Sequence, residues 1–129
     1  HVLIVSEYWV PDEHGGGERS AWQLARGLAA QGMSVTVMTS SSIRAPATEE
    51  RDGVTIMRVL RTGSPTTMWG NFLRHVFFRR STLRAVCAHC EKHPVDVIHL
   101  MNTSSIAFAD VLRVRTLPGP AAWLACVCR

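Results

Sequence analysis

Residues 2–39 read VLIVSEYWVPDEHGGGERSAWQLARGLAAQGMSVTVMT, two apolar runs separated by a glycine-rich loop and an amphipathic segment. The first run, VLIV, is short and uninterrupted, which is typical of a strand buried on both faces of a parallel sheet. Apolar residues then recur at helical spacing, at Ala21, Leu24, Ala25, Leu28 and Ala29. Gly32 ends this helix, and residues 33–39 form the next strand. The stretch therefore predicts a strand–helix–strand crossover unit.

The loop of this unit is the first candidate site. We expect it to end in HGGGERS, residues 14–20, immediately before the helix. Open α/β sheets bind ligands beyond the carboxyl ends of their strands, which is where this loop lies. Glycines allow close backbone approach, and the N–H groups at a helix start attract anions. The loop is interpreted as a cradle for an anion or a sugar, with a plain tight turn as the structural alternative.

The rest of the chain repeats the alternation of strands and helices. Residues 40–52 are predicted as a polar surface connection, Asp52-Gly53 as a turn and residues 54–60 as a third strand. A long helix is expected over about 68–93, ended by Pro94, followed by a fourth strand over 95–100 and a turn from Met101. A helix over 106–114 and one short strand over 121–127 complete the prediction.

Composition places limits on the class of protein. The 129 residues suit one domain, and fourteen Lys+Arg against ten Asp+Glu give a net charge of +4. This balance favours anionic ligands or an anionic membrane surface without identifying either. Four cysteines without a regular framework indicate reduced thiols, so we expect a cytoplasmic protein. The sequence contains no apolar run long enough to cross a bilayer.

Several blocks together resemble one family. GGGER at residues 15–19, the helix over 21–30, Gly32 and the strand at 35–37 closely resemble the opening of glycosyltransferase family 4 proteins. Residues 52–59 and 96–99 resemble later strands of that family, so the likeness covers residues 2 to about 110 and leaves 115–129 as a poorly matching tail. The resemblance implies a Rossmann-like open parallel sheet with helices on both faces, the amino-terminal, acceptor-side half of a truncated GT-B fold over residues 1–129.

The same resemblance implies an activity and its partners. Family members transfer a sugar from a nucleotide-sugar donor to a glycan or lipid-linked acceptor and usually need no metal, so no cofactor is expected. The carboxyl-terminal Rossmann-like domain that reads the donor is missing from the sequence, so we expect this chain alone to be inactive. The alternative hypothesis is a non-catalytic Rossmann-like module that binds an anionic ligand or a membrane surface.

Site residues carried over by position are few. Gly15, Gly16 and Gly17 would face the donor phosphates and sugar, and His99 would lie near the acceptor as the candidate catalytic residue. Glu18 is either a further donor contact or a first-turn acid that complements the helix dipole.

One departure affects the acceptor side of this set. The family often has histidines two residues apart at the end of the fourth strand, whereas here Met101 follows His99 on the same strand face. The second imidazole is therefore absent, or Asn102 takes its role.

The long helix carries Arg79 and Arg80 beside two phenylalanines. The default interpretation is a solvated face over a core stripe. Contact with anionic lipid at the inner face of a membrane is the second, and nucleic acid is not expected because no recognition motif accompanies the charge.

Two other ligand sites are disfavoured. Cys87 and Cys90 share a helix face, but no second pair has zinc-site spacing, so core packing is preferred to a metal. A dinucleotide site is disfavoured because the glycine spacing must be forced and no acid follows the second strand.

Overall fold

A computed structural model of the chain describes residues 1–9, 16–62 and 68–101. Gly15, Asn102 and the predicted elements over 106–114 and 121–127 lie outside the described residues. The described elements are β1 (Val2–Ser6), α1 (Gly16–Ala30), β2 (Val35–Ser40), β3 (Thr48–Arg51), β4 (Val54–Leu60), α2 (Met68–Lys92) and β5 (Val97–Met101).

The strands form one open sheet in the order β3-β4-β2-β1-β5. β1 pairs in parallel with β2 and β5, and β2 pairs in parallel with β4. Among the described strands, β3 at one edge is the only one that pairs antiparallel to its neighbour. The sheet confirms the predicted Rossmann-like α/β class, with the two apolar runs of residues 2–39 side by side at its centre.

The two helices cover opposite faces of this sheet. Alternate residues of a strand point to opposite faces, and β1 is buried on both. Leu3 and Val5 pack in one core cluster with Phe78 of α2, whereas Ile4 packs in the other with Ala21 of α1. The prediction of helices on both faces is therefore confirmed.

Two turns follow from glycines with positive φ. Gly32, at φ +82°, ends α1 in a Schellman motif, in which the N–H groups of Gly32 and Met33 donate to the carbonyls of Ala29 and Leu28. Gly53, at φ +76°, shares with Asp52 the two-residue turn that joins β3 to β4. Both turns were predicted from the sequence.

The predicted polar connection over 40–52 is wrong in its second half. Residues 48–51 form β3, an edge strand whose exposed Thr-Glu-Glu-Arg sequence carries no apolar alternation that would indicate a strand. The buried guanidinium of Arg58 holds this edge by an ion pair with Glu49 at 2.9 Å and a hydrogen bond to the Pro46 carbonyl at 3.1 Å.

Two element boundaries and the exposure of one side chain differ from the prediction. α1 begins at Gly16, so residues 16–20 are its first turn and not the end of a loop. β5 continues through Met101, which was expected to begin a turn. Leu24 is exposed on α1 although it fits the apolar spacing.

The large apolar side chains near the start of α2 are mostly exposed. Trp69 is 74% exposed and Phe72 is 61% exposed. Phe78 and Val86 instead bury the helix against the sheet. In the described part of the chain no helix combines the length and the hydropathy that a transmembrane span requires.

Candidate functional site

The carboxyl ends of the parallel strands and the starts of both described helices lie at one edge of the sheet, the carboxyl edge. β1, β2, β4 and β5 are parallel, so all four strands end at this edge. α1 follows β1 and α2 follows the loop after β4, so both helices begin there. β1 lies between β2, its successor through α1, and β5, which the chain reaches through α2. This reversal of strand order is where open α/β sheets place their ligands.

An open cleft of about 280 Å³ lies beyond the ends of β1, β2 and β4. Its walls combine one carboxyl group, five hydroxyl-bearing residues and two aromatic side chains, Tyr8 belonging to both of the last two groups. The lining residues are Glu7, Tyr8, Trp9, Ser40, Ser41, Ser42, Ile43 and Thr62. We call it the hydroxyl cleft.

Hydrogen bonds hold Glu7 in place in the wall of the hydroxyl cleft. It is only 4% exposed, and the Thr62 hydroxyl donates to its Oε1 at 2.9 Å. Its backbone carbonyl accepts a hydrogen bond from the Ser40 N–H at 3.3 Å and from the Thr39 hydroxyl at 3.4 Å. These bonds join the ends of three strands and hold the carboxyl group in the cleft wall.

Ser40 contributes an unused hydrogen-bonding group. Its Oγ is buried and has no partner among the described residues. A buried polar atom without a partner costs about 1–3 kcal/mol. A ligand hydroxyl that bonds to Ser40 would remove this cost, which favours polyhydroxylated ligands in the hydroxyl cleft.

Two further buried polar groups lie on the α1 side of the sheet. Glu18 is 6% exposed and begins the buried stripe of α1 that continues through Ala21 and Ala25. Within the described ranges neither its Oε2 nor the buried Nε1 of Trp9 has a hydrogen-bond partner. Trp9 packs edge-on against Trp22 of α1, with ring centroids 6.0 Å apart. Because Trp9 also lines the hydroxyl cleft, it connects that cleft to the α1 side.

His99 lies on the same side of the sheet, in register with Ile4. Burial lowers the pKa of His99, so its imidazole is neutral near pH 7. Its buried Nε2 has no partner in the described part of the chain. β5 continues for two residues beyond His99, to the buried Met101, so His99 lies within the strand and not at its end. A catalytic role for His99 stays a prediction.

The glycines are only partly described. Gly16 is exposed in the first turn of α1 at the carboxyl edge, and Gly17 follows it in partial burial. A Cβ added to Gly16 would meet nothing within 4 Å in the described structure. Packing within the described chain therefore gives no reason for glycine at this position. The donor contacts predicted for Gly15, Gly16, Gly17 and Asn102 stay predictions.

The other singled-out residues lie on α2. Arg80 lines a second cleft, described below, that Arg79 does not line. Cys87 and Cys90 are free thiols whose pKa values are raised, in each case chiefly by burial. Among the described residues no group of three or more His, Cys, Asp or Glu side chains is arranged to hold a metal ion.

Sequence reasoning missed the residues that form the hydroxyl cleft, Glu7, Ser40 and Thr62. The sequence contained a signal that could have found them. Each of these three residues lies at or just after the end of a predicted apolar strand, and the ends of parallel strands meet at one edge of a sheet. Their convergence depends on the strand order, which the sequence of each strand does not specify.

A Rossmann-like open sheet with a polar cleft at its switch point defines a ligand-binding α/β domain. The sequence matches the glycosyl transferase 4-like domain over residues 15–126, and the chain belongs to this family. The match confirms the resemblance to glycosyltransferase family 4. Membership indicates a glycosyltransferase-type function, with a sugar donor and an acceptor as its substrates in general terms. No curated protein matches the chain.

Proposed function

We propose that the chain is the acceptor-side domain of a GT-B glycosyltransferase that transfers a hexosyl group from a nucleotide sugar to a glycan or lipid-linked acceptor. The observation that carries the proposal is the hydroxyl cleft at the carboxyl edge, in a chain of the glycosyl transferase 4-like domain family. A second Rossmann-like domain across the cleft would hold the donor.

The chemistry of the hydroxyl cleft suits a sugar. The carboxyl group of Glu7 and the hydroxyl group of Ser40 offer hydrogen bonds to sugar hydroxyls. Tyr8, which is only partly buried, adds apolar surface for the C–H face of a pyranose ring. Because Thr62 and the backbone already hold Glu7, little side-chain ordering is required when the ligand binds.

The start of α1 would face the donor. The N–H groups of its first turn, from Gly16 onward, would stabilise the negative charge of a diphosphate. Because these groups are already oriented by the helix, they need not move as negative charge develops on the leaving group. Glu18 would accept a hydrogen bond from a substrate hydroxyl through its buried Oε2. His99, kept neutral by burial, would orient a substrate hydroxyl and not provide a positive charge.

Saturation-transfer NMR with the full chain tests the proposal. The probes are methyl glycosides of glucose, mannose, galactose and N-acetylglucosamine as acceptor surrogates, and UDP-glucose and GDP-mannose as donors. We expect signal transfer to at least one glycoside and no measurable sugar transfer by this chain alone. Glu7→Gln should weaken glycoside binding by about tenfold, since bonds to a charged group contribute about 1.5–3 kcal/mol.

Glu50→Gln is the matched control, because Glu50 lies exposed on β3 and does not line the hydroxyl cleft. Glycoside binding that is equally weakened by Glu50→Gln, or absent from all four probes, would contradict an acceptor site in this cleft. Sugar transfer by the isolated chain would overturn the proposal that a second domain is required.

Peripheral membrane contact is part of the proposal, with a cytoplasmic location at the inner face of the membrane. It is supported by the exposed apolar side chains of α2, Trp69, Phe72, Leu73 and Phe77. Exposed apolar patches beside arginines favour anionic lipid surfaces. Sedimentation with anionic vesicles should recover the wild-type chain and less of Arg79→Gln/Arg80→Gln. Vesicle binding without any glycoside binding would favour the non-catalytic module.

A further inference from the structure

A second open cleft, of about 530 Å³, lies between the end of β4 and α2. Three arginines line it, Arg61 after β4 and Arg80 and Arg84 on α2. Phe77 and Val59 supply its apolar wall. We call it the arginine cleft. Among the described residues, none lines both this cleft and the hydroxyl cleft.

The fold brings these arginines together by two local constraints. Arg80 and Arg84 are four residues apart on α2, so they share one face of the helix. Ser81 positions the backbone of the third arginine, Arg61. The Ser81 Oγ accepts a hydrogen bond from the Arg61 N–H at 3.0 Å and donates one to the Phe78 carbonyl at 3.0 Å. The backbone of Arg61 is thereby tied to α2 at the level of the other two side chains.

The charge of the arginine cleft is uncompensated. No described acidic side chain lines it, and within the described ranges Arg61, Arg80 and Arg84 form no ion pair. Arginines elsewhere differ, because Arg26 pairs with Asp52 at 3.3 Å and Arg58 pairs with Glu49 at 2.9 Å. Like charges on neighbouring helix turns repel each other, so an anion that bridges them is stabilised.

We propose that the arginine cleft is a binding site for a phosphate group. Guanidinium groups match phosphate oxygens in a bidentate geometry, and three of them are present on two elements that Ser81 holds together. Phe77, 52% exposed, provides an apolar wall for the group that carries the phosphate. The site goes beyond the proposed sugar transfer and does not depend on it.

The test uses two probes because a phosphate group reaches the cleft either from solution or from a membrane lipid. One arm titrates the full chain with inorganic pyrophosphate by calorimetry. The other measures sedimentation with phosphatidylcholine vesicles with and without phosphatidylglycerol. We expect binding in at least one arm. Arg80→Gln/Arg84→Gln should weaken it by at least about tenfold, and Arg61→Gln alone by about threefold or more.

Arg26→Gln/Arg51→Gln is the matched control. It removes the same charge from exposed positions on α1 and β3, outside the arginine cleft, and should change binding by less than about threefold. Binding in the pyrophosphate arm alone identifies a soluble phosphate compound, and binding in the vesicle arm alone identifies a lipid headgroup.

Two results would overturn the site. One is no binding of either probe, and the other is equal loss in the test and control variants, which would mean non-specific charge attraction. All substituted arginines are exposed, so thermal melting should stay at the wild-type value. If a double variant melted at a lower temperature than the wild type, the single variant Arg61→Gln would be used in its place. Weakened probe binding by Arg61→Gln would then support the site, and unchanged binding would overturn it.

Discussion

α1 and α2 cover opposite faces of one sheet, yet they do so differently. α1 approaches the sheet through fully buried small residues, Ala21 and Ala25, along its buried stripe. α2 leaves Trp69 and Phe72, in its first two turns, exposed and contacts the core from Phe78 onward. Both helices carry apolar residues at helical spacing. Periodicity therefore shows which side chains share a helix face, and not whether the sheet covers that face.

The two sides also differ in surface charge. On the α1 side, Glu18, Trp9 and His99 each bury a polar atom that has no partner in the described structure. The α2 side buries two such atoms, Thr82 Oγ1 and His89 Nε2, and also carries the positive charge of the arginine cleft at its surface. Buried polar atoms without a described partner therefore occur on both sides, and the arginine cleft is the feature that favours anions on the α2 side.

The largest expected effect is a difference in the free energy of unfolding between substitutions of two adjacent phenylalanines of α2. Phe78 is 1% exposed, so Phe78→Ala should lower the free energy of unfolding by about 3–5 kcal/mol through lost burial and the cavity left behind. Phe77 is 52% exposed, and Phe77→Ala should change it by less than about 0.5 kcal/mol. Urea denaturation of both variants measures the difference. Equal losses would mean that α2 buries a different face from the one described.

The close packing of α1 predicts the next effect. Ala25 is fully buried against the sheet, so Ala25→Leu should cost about 1–3 kcal/mol by overpacking. Gln23→Leu places the same side chain at an exposed position of the same helix and should be nearly neutral. The same urea denaturation compares the two. A stabilising Ala25→Leu would show unfilled space under α1.

Substitutions of two glycines, one inside α1 and one just after its end, should change stability with opposite signs. Gly32→Ala forces a side chain into φ +82° and should cost about 1–2 kcal/mol. Gly27 lies inside the helix with nothing in the described structure within 4 Å of an added Cβ, so Gly27→Ala should stabilise by about 0.5–1 kcal/mol. Thermal melting of the pair provides the check, and a shift of the same sign in both would refute the assigned helix end.

The smallest effect is a pH dependence with one histidine on each side. Burial lowers the pKa values of His89 on α2 and His99 on β5 below 6.5, with His93 adding to the effect at His89. Above pH 6.5 both are mainly neutral in the folded and unfolded states, and below it the unfolded chain binds protons more readily. The free energy of unfolding should therefore fall as the pH drops below 6.5.

Urea denaturation at about pH 7.5 and about pH 5.5 measures the change. His89→Gln and His99→Gln should each reduce it. A pH dependence that is unaltered in both variants would contradict the buried, neutral state of these imidazoles.

Much of the fold was predictable because its determinants are local. The apolar runs of β1 and β2, Gly32 and the Asp52-Gly53 turn are each specified by nearby residues. β3 was not, since its pairing with β4 and the Arg58–Glu49 ion pair stabilise a polar edge strand that has no apolar pattern.

The candidate sites were less predictable because they depend on tertiary placement. Glu7 and Thr62 are 55 residues apart and meet only because β1 and β4 end at one edge. Arg61 joins Arg80 and Arg84 only because Ser81 ties the end of β4 to α2. The glycines form a run that can be recognised in the sequence between a strand and a helix, whereas the hydroxyl cleft combines ordinary residues that no motif identifies.

The central claim is that the carboxyl edge of this sheet receives the sugar acceptor. Chemical-shift mapping of the ¹⁵N-labelled chain with the four methyl glycosides tests it most directly. We expect shifts at the amides of Glu7, Ser40 and Thr62 and little change along the exposed face of α2. Shifts confined to the α2 face, with these three amides unmoved, would contradict it.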